Sequence, residues 1–160
     1  AIPILARSLT LIDLFNDPSF LPGIALHQPY AGLARLGIKE LETRMNRCNY
    51  RGPMVICATR TFITAKSVEQ RAKWVPLRAS TDQYNAAVYP VGCVLALAQI
   101  VDCRLLVESD EPRSCFWDPA DAGKRYAWEL KDIQPLVTHP IRCMPGWFPV
   151  SRKLVEVHCE

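Results

Sequence analysis

The segment GIKELETR (37–44) gathers an amine, a carboxylate and a guanidinium (Lys39, Glu42 and Arg44) within six residues. These types in one place support two kinds of chemistry. The cations can hold a phosphate or another anion, with Arg offering a planar fork of donors. A Lys amine whose pKa is lowered by burial or by a nearby guanidinium can serve as base or nucleophile, while the carboxylate activates water or holds the amine in place. A plainer arrangement also stays open. Glu42 and Arg44 would pair on the surface for under ~1 kcal/mol, and Lys39 would be a solvated residue beside the negative end of a helix.

Further candidates lie on either side in the sequence. Gln28 and Tyr30 flank Pro29 at the start of an expected helix, where unpaired backbone N–H groups and an aromatic face come together. Tyr50 and Arg51 sit in a turn signal, Asn49 to Pro53. Cations, N–H donors and aromatic rings together suit a phosphate and a base. Thr59 ends an apolar run and either faces the same cleft or forms a surface pair with Arg60. Trp128 either packs in the core or stacks a base at the cleft mouth. For RNA cleavage, Lys39 or Tyr89 would assist a 2′-hydroxyl while Arg44 or Arg51 stabilises the charged phosphorane; otherwise Tyr89–Pro90 is a packing pair at a strand start. His27 reads as hydrogen-bonded structure rather than a ligand, and Asp102 as a turn cap.

The elements that must position these residues are legible in the hydrophobic pattern. Leu9 to Phe15 carry helical spacing that stops at Asn16-Asp17-Pro18, which predicts an N-terminal helical extension over 1–20 ahead of one domain over 21–160. GIALH (23–27) predicts a strand, Pro29 opens a helix through AGLARL, and Gly37 is placed for a left-handed C-terminal cap. IKELETR then alternates with period two, so Glu42 and Arg44 share a face about 6.5–7 Å apart and Lys39 stands at the strand's start. MVICAT (54–59) is an apolar strand; 64–75 and DQYNAAVY are helical, ended by Pro76 and Pro90. VGCVLALAQIVDC (91–103) is too apolar to have a wet face throughout, which predicts a central strand. Residues 108–123 read as a loop, RYAWELKDI (125–133) as a strand, and KLVEVHC as a terminal strand. Five or six strands with helices inserted irregularly among them predict an α+β domain: a small mixed or antiparallel barrel with helices outside it.

Composition sets the bounds. The 160 residues are 49% hydrophobic and 22% charged, enough for one domain that buries about two thirds of its unfolded surface. The net charge of +3 falls well short of the cationic balance of a protein that wraps duplex DNA, but it suits a small anionic ligand. Seven Cys occur singly, with no C-x-x-C pair, which predicts reduced thiols and a cytoplasmic location. The nearest approach to a metal set, His139 and Cys143 with Cys115 or Cys103, lacks a second ligand pair at usable spacing. No metal and no cofactor is expected. No signal peptide pattern opens the sequence and no apolar run reaches the ~18 residues of a membrane span, so no membrane association is expected.

The segment GIALHQPYAGLARLGIKELETRMNRCNYRGPMVICATR strongly resembles an ASCH domain, a family of the PUA-like superfamily. The shared features are Gln28-Pro29-Tyr30-Ala31, the Gly-x-Lys-x-x-Glu-x-Arg motif at Gly37, Lys39, Glu42 and Arg44, and the turn from Asn49 to Pro53. YPVGCVLALAQIVDC, YAWELKDIQPL and GWF resemble later parts of the family, and the resemblance covers about residues 21–158. It implies a PUA-like β-barrel with a cleft floored by the Lys/Glu/Arg motif, and an RNA, nucleoside or nucleotide ligand. Some bacterial relatives are hydrolases, one kind deacetylating N4-acetylcytidine and another cleaving RNA. The deacetylating members use a Lys, a Thr three residues later and a distant Glu; here Lys39 matches and Glu42 stands at the Thr position. Three readings follow: RNA or nucleotide binding, hydrolysis of RNA or a modified nucleoside, and a protein-interaction module. The N-terminal helix is a candidate dimer contact.

Overall fold

The computed structural model describes residues 16–61 and 89–155. The predicted helices at 64–75 and DQYNAAVY, and nearly all of the 1–20 extension with its dimer contact, lie outside these residues. The described chain runs β1 (Phe20–Leu26), α1 (Tyr30–Arg35), β2 (Leu41–Arg44), β3 (Gly52–Ala58), β4 (Cys93–Leu105), α2 (Glu111–Ser114), β5 (Tyr126–Pro135) and β6 (Phe148–Ser151). The strands form one mixed sheet in the order β2-β5-β4-β3-β1-β6, with β1 and β3 parallel and the other neighbours antiparallel.

The inner strands are apolar on both faces because both faces are covered. Along β3, Met54, Ile56 and Ala58 enter one core cluster with Ile24, Leu26, Ala31, Ala34 and Trp128, while Val55 and Cys57 enter a second with Leu21, Val94, Phe148 and Val150. That two-sided burial accounts for the unbroken apolar run in MVICA. β4 is central, as its composition predicts, and pairs with β3 and β5 along most of its length.

The closed barrel is where the expectation and the structure part. The ladder is open, with β2 and β6 as its edges. Register breaks at Ile56/Cys57, Leu97/Gln99 and Ile100/Asp102 bend the sheet, as bulges do. The sheet curls until Arg44 on β2 donates from Nη2 to the carbonyl of Ala25 on β1 at 3.1 Å. A side chain therefore spans the gap that a barrel would close with a backbone ladder. Two smaller differences concern the predicted loop and the terminal strand. Residues 108–123 contain α2 and two 3-10 turns, and Lys153–Leu154 belong to a 3-10 turn rather than to a strand, the last strand among the described residues being β6; the rest of the predicted KLVEVHC strand, from 156 on, lies outside them.

Helix α1 ends as its sequence predicts. Gly37 has φ of 77°, its N–H donates to Ala34 O at 3.0 Å, and the Ile38 N–H donates to Leu33 O at 3.0 Å. This paired closure reverses the chain within two residues and delivers Lys39 directly to the start of β2.

Candidate functional site

Lys39 is buried, with 1% of its surface exposed. Its Nζ donates to Leu41 O at 2.7 Å and Ser114 O at 2.6 Å, and lies 3.5 Å from Glu42 Oε1. Two backbone carbonyls thus accept from the amine and a carboxylate lies beside it as an ion partner. Burial lowers its pKa from the ordinary 10.5, and the charge of Glu42 opposes that shift. The position predicted at a solvated rim is therefore internal. The carbonyl of Ser114 that anchors it comes from α2, inside the region predicted to be a plain loop.

Glu42 is buried as well. Its Oε1 also accepts the N–H of Thr43 at 2.8 Å, and its Oε2 accepts Arg44 Nε at 3.2 Å. With these partners at least one carboxylate lone pair stays open. Arg44 is 30% exposed at its side chain and divides its donors between Glu42 and Ala25 O. The period-two reading that set Glu42 and Arg44 on one face holds at atomic detail.

These residues line a cavity of about 340 Å³ with Ala25, Leu26, His27, Tyr30, Thr43, Phe116 and Arg125. Lys39 Nζ lies 5.3 Å from the centre of the Tyr30 ring, and the Arg125 guanidinium lies 4.6 Å over Phe116. Register explains the assembly. Arg44 pairs with Tyr126 across β2 and β5, so Arg125 falls just beyond the end of the pair. His27 continues β1 into the mouth and is held by a 2.7 Å hydrogen bond between Nδ1 and Thr59 Oγ1. The arrangement combines an acceptor-rich floor, two aromatic rings and two guanidinium groups, features suited to a base edge, a base face and a phosphate.

Of the residues singled out in the sequence, Tyr30, Lys39, Glu42 and Arg44 meet at this cavity, and Thr59 borders it through His27. Gln28 is buried and works inside the fold: Nε2 donates to Pro90 O at 2.7 Å and Oε1 accepts Gly32 N–H at 2.9 Å. Tyr50 and Arg51 lie at the other end of β3, about 20 Å from the cavity's level by strand rise. Tyr50 donates to Pro53 O at 2.8 Å, and Arg51 donates to Cys48 O and Tyr50 O and approaches Asp102 at 3.9 Å. Trp128 is buried, stacks on Trp147 with centroids 5.6 Å apart, and donates to Asn46 O. Tyr89 is buried away from the cavity lining, its hydroxyl without a hydrogen-bond partner among the described residues. Burial pushes its phenol pKa up. His27 was set aside in the sequence, yet it stands at the cavity mouth; its place directly after an apolar strand was the available signal. Phe116 and Arg125 carried no local signal, because strand pairing alone brings them in.

The comparisons with known proteins bear on the family and the fold. Residues 24–143 match the family model of the ASCH domain. The chain is 31% identical over 132 residues to activating signal cointegrator 1 of Mus musculus, covering 82% of this chain and 22% of that protein. It is 31% identical over 80 residues to the Homo sapiens protein of the same name, covering 50% of this chain and 14% of that one. The chain thus spans less than a quarter of these relatives' length. Its fold is similar to the crystal structure of ASCH from Zymomonas mobilis, with a TM-score of 0.53 at 15% identity, over 82% of this chain and 88% of that one.

Proposed function

Since the chain belongs to the ASCH domain family, we propose that it binds single-stranded RNA by receiving one nucleotide in the cavity above Lys39, Glu42 and Arg44. The observation that carries this reading is the open cavity of about 340 Å³ in which a buried carboxylate, the rings of Tyr30 and Phe116 and the cations Arg44 and Arg125 converge. The open lone pair of Glu42 suits the exocyclic amine of a base, as carboxylates accept from cytosine N4. The rings suit its face, and the guanidinium groups suit its phosphate. The curled sheet, spanned by Arg44, supports a PUA-like arrangement. Six free thiols among the described residues support a reducing compartment such as the cytoplasm.

Hydrolysis of RNA or of a modified nucleoside would use the same residues. The burial of Lys39 favours binding over that reading, because its Nζ donates to two backbone carbonyls and lies beside the Glu42 carboxylate, partners within the fold rather than a substrate. A module that binds only protein fits an open, charged cavity less well than it would a filled one. Fluorescence anisotropy with a labelled eight-nucleotide RNA of mixed sequence tests the proposal, paired with mass spectrometry of the RNA after incubation. Binding should fall about tenfold or more in Arg44→Gln, with the RNA recovered intact. Equal binding by wild type and variant would reject the site, and shortened or deacetylated product would replace binding by hydrolysis.

A further inference from the structure

A second cavity of about 570 Å³ adjoins the first and shares Ala25, His27 and Arg44 with it. Its other walls include Thr59, Arg60, Arg142, Cys143 and Met144, and among the described residues no Asp or Glu lines it. Arg60 and Arg142 are exposed, and neither has a hydrogen bond or a carboxylate partner among the described residues. Elsewhere in the molecule Arg104 and Arg113 each hold a carboxylate, and in the first cavity Arg44 and Arg125 do as well. Two guanidinium groups with no partner and no acid beside them among the described residues mark a surface that attracts an anion rather than one stabilising the fold.

The local backbone is built around one of them. Gly92 has φ of 63°, its N–H donates to Thr59 O at 3.0 Å, and a Cβ placed there would lie 3.1 Å from Arg60 Cγ. The stem of Arg60 therefore rests on a turn where a side chain would crowd it. Gln28 ties the same turn to α1 through Pro90 O, and His27 meets Thr59, so the partition between the two cavities is fixed from both sides. Met144, 56% exposed at this wall, offers an apolar surface beside the charges.

We propose that this second compartment takes the phosphodiester and the neighbouring nucleotide that flank the base in the first, so that the ligand is an internal nucleotide of a single strand rather than a free nucleoside. Arg44 and His27, common to both compartments, stand where the backbone would pass from one to the other, and Arg60 and Arg142 contact the phosphate beyond. This rests on the reading of the first cavity as a nucleotide site.

The test uses the labelled eight-nucleotide RNA on wild type, Arg60→Gln/Arg142→Gln, Arg44→Gln and a control, Lys124→Gln/Lys131→Gln, which removes the same charge from exposed positions outside both cavities. Each protein is titrated across a salt series, with the four ribonucleosides and their 5′- and 3′-monophosphates as competitors. The Arg60/Arg142 variant should bind about tenfold or more weakly at low salt, with the log–log salt slope shallower by about 0.7, the value for the one phosphate the two groups contact. Monophosphates should outcompete nucleosides on wild type and by a smaller margin on this variant, which keeps Arg44 and Arg125, while the control resembles wild type. If the Arg60/Arg142 variant keeps wild-type affinity and slope while Arg44→Gln loses binding, the second compartment is overturned and the nucleotide site stands. If the control falls as far as the Arg60/Arg142 variant, general charge accounts for the effect and the compartment is again overturned. If wild type binds no RNA, or Arg44→Gln binds it unchanged, the nucleotide site fails and this inference with it.

Discussion

Lys39 and Glu42 are buried together, and each charge relies on the other and on hydrogen bonds to stay there. Removing one partner of a buried pair leaves an uncompensated charge, so Lys39→Met should cost about 3–5 kcal/mol in urea unfolding. Lys39→Met/Glu42→Gln should recover part of that loss, with a coupling above about 1 kcal/mol. The pH dependence has a definite sign. Burial lowers the folded pKa of Lys39 below 10.5, so between that value and 10.5 the unfolded chain binds more protons. Stability should rise with pH across this window, and Lys39→Met should lack the rise; the same slope in both proteins would mean another group titrates there. The alternation of IKELETR revealed the shared face of Glu42 and Arg44, since period two is a local property. It did not reveal that Lys39 is internal, because the cover over it comes from Ser114, distant in sequence. An activity test on Lys39→Ala therefore requires a folding control, whereas exposed His27 is the cleaner probe of the cavity.

At the scale of elements, the site depends on how α2 and its preceding turn are held against β4. Arg104 on β4 grips Asp110 with two hydrogen bonds, Nη1 to Oδ2 at 2.6 Å and Nη2 to Oδ1 at 2.7 Å, and Asp110 Oδ2 also accepts Val107 N–H. These bonds, the Arg104 pair first among them, hold the Asp110 carboxyl below its ordinary 3.8. Its stabilisation is complete above about pH 3.8 and is lost as pH falls through the lower folded value. Asp110→Asn should cost about 1 kcal/mol at neutral pH, a modest figure because Arg104 is 40% exposed at its side chain, and should flatten the acid limb of the stability curve. An acid limb unchanged in Asp110→Asn would remove this pair from the account. Strands β1 to β5 were readable from apolar runs and alternation, β6 lay in a Pro-broken stretch and was not, and the strand order was not, since pairing partners lie far apart in sequence. α2 was hidden in an acidic, Pro-containing segment whose helix of four residues is too short to show a period.

The whole molecule is a sheet curled around a side-chain bridge, with a cavity at one end of β1 and β3 and the Tyr50–Arg51 turn at the other. A mixed domain of six strands was foreseeable from the strand count. Barrel closure was not decided by sequence, because register breaks and a single arginine bridge set how far the sheet curls. The same geography separates residues that the linear motif had grouped together, since Arg51 precedes β3 at the end away from Ala25, whereas the Arg44 side chain, seven positions earlier in sequence, reaches Ala25 from β2. The most direct test of the central claim is an amide chemical-shift titration of the protein with the eight-nucleotide single-stranded RNA. The account predicts perturbations concentrated at His27, Tyr30, Thr43, Arg44 and Phe116. Perturbations centred on Tyr50, Arg51 and Asp102, or none at saturating RNA, would contradict it.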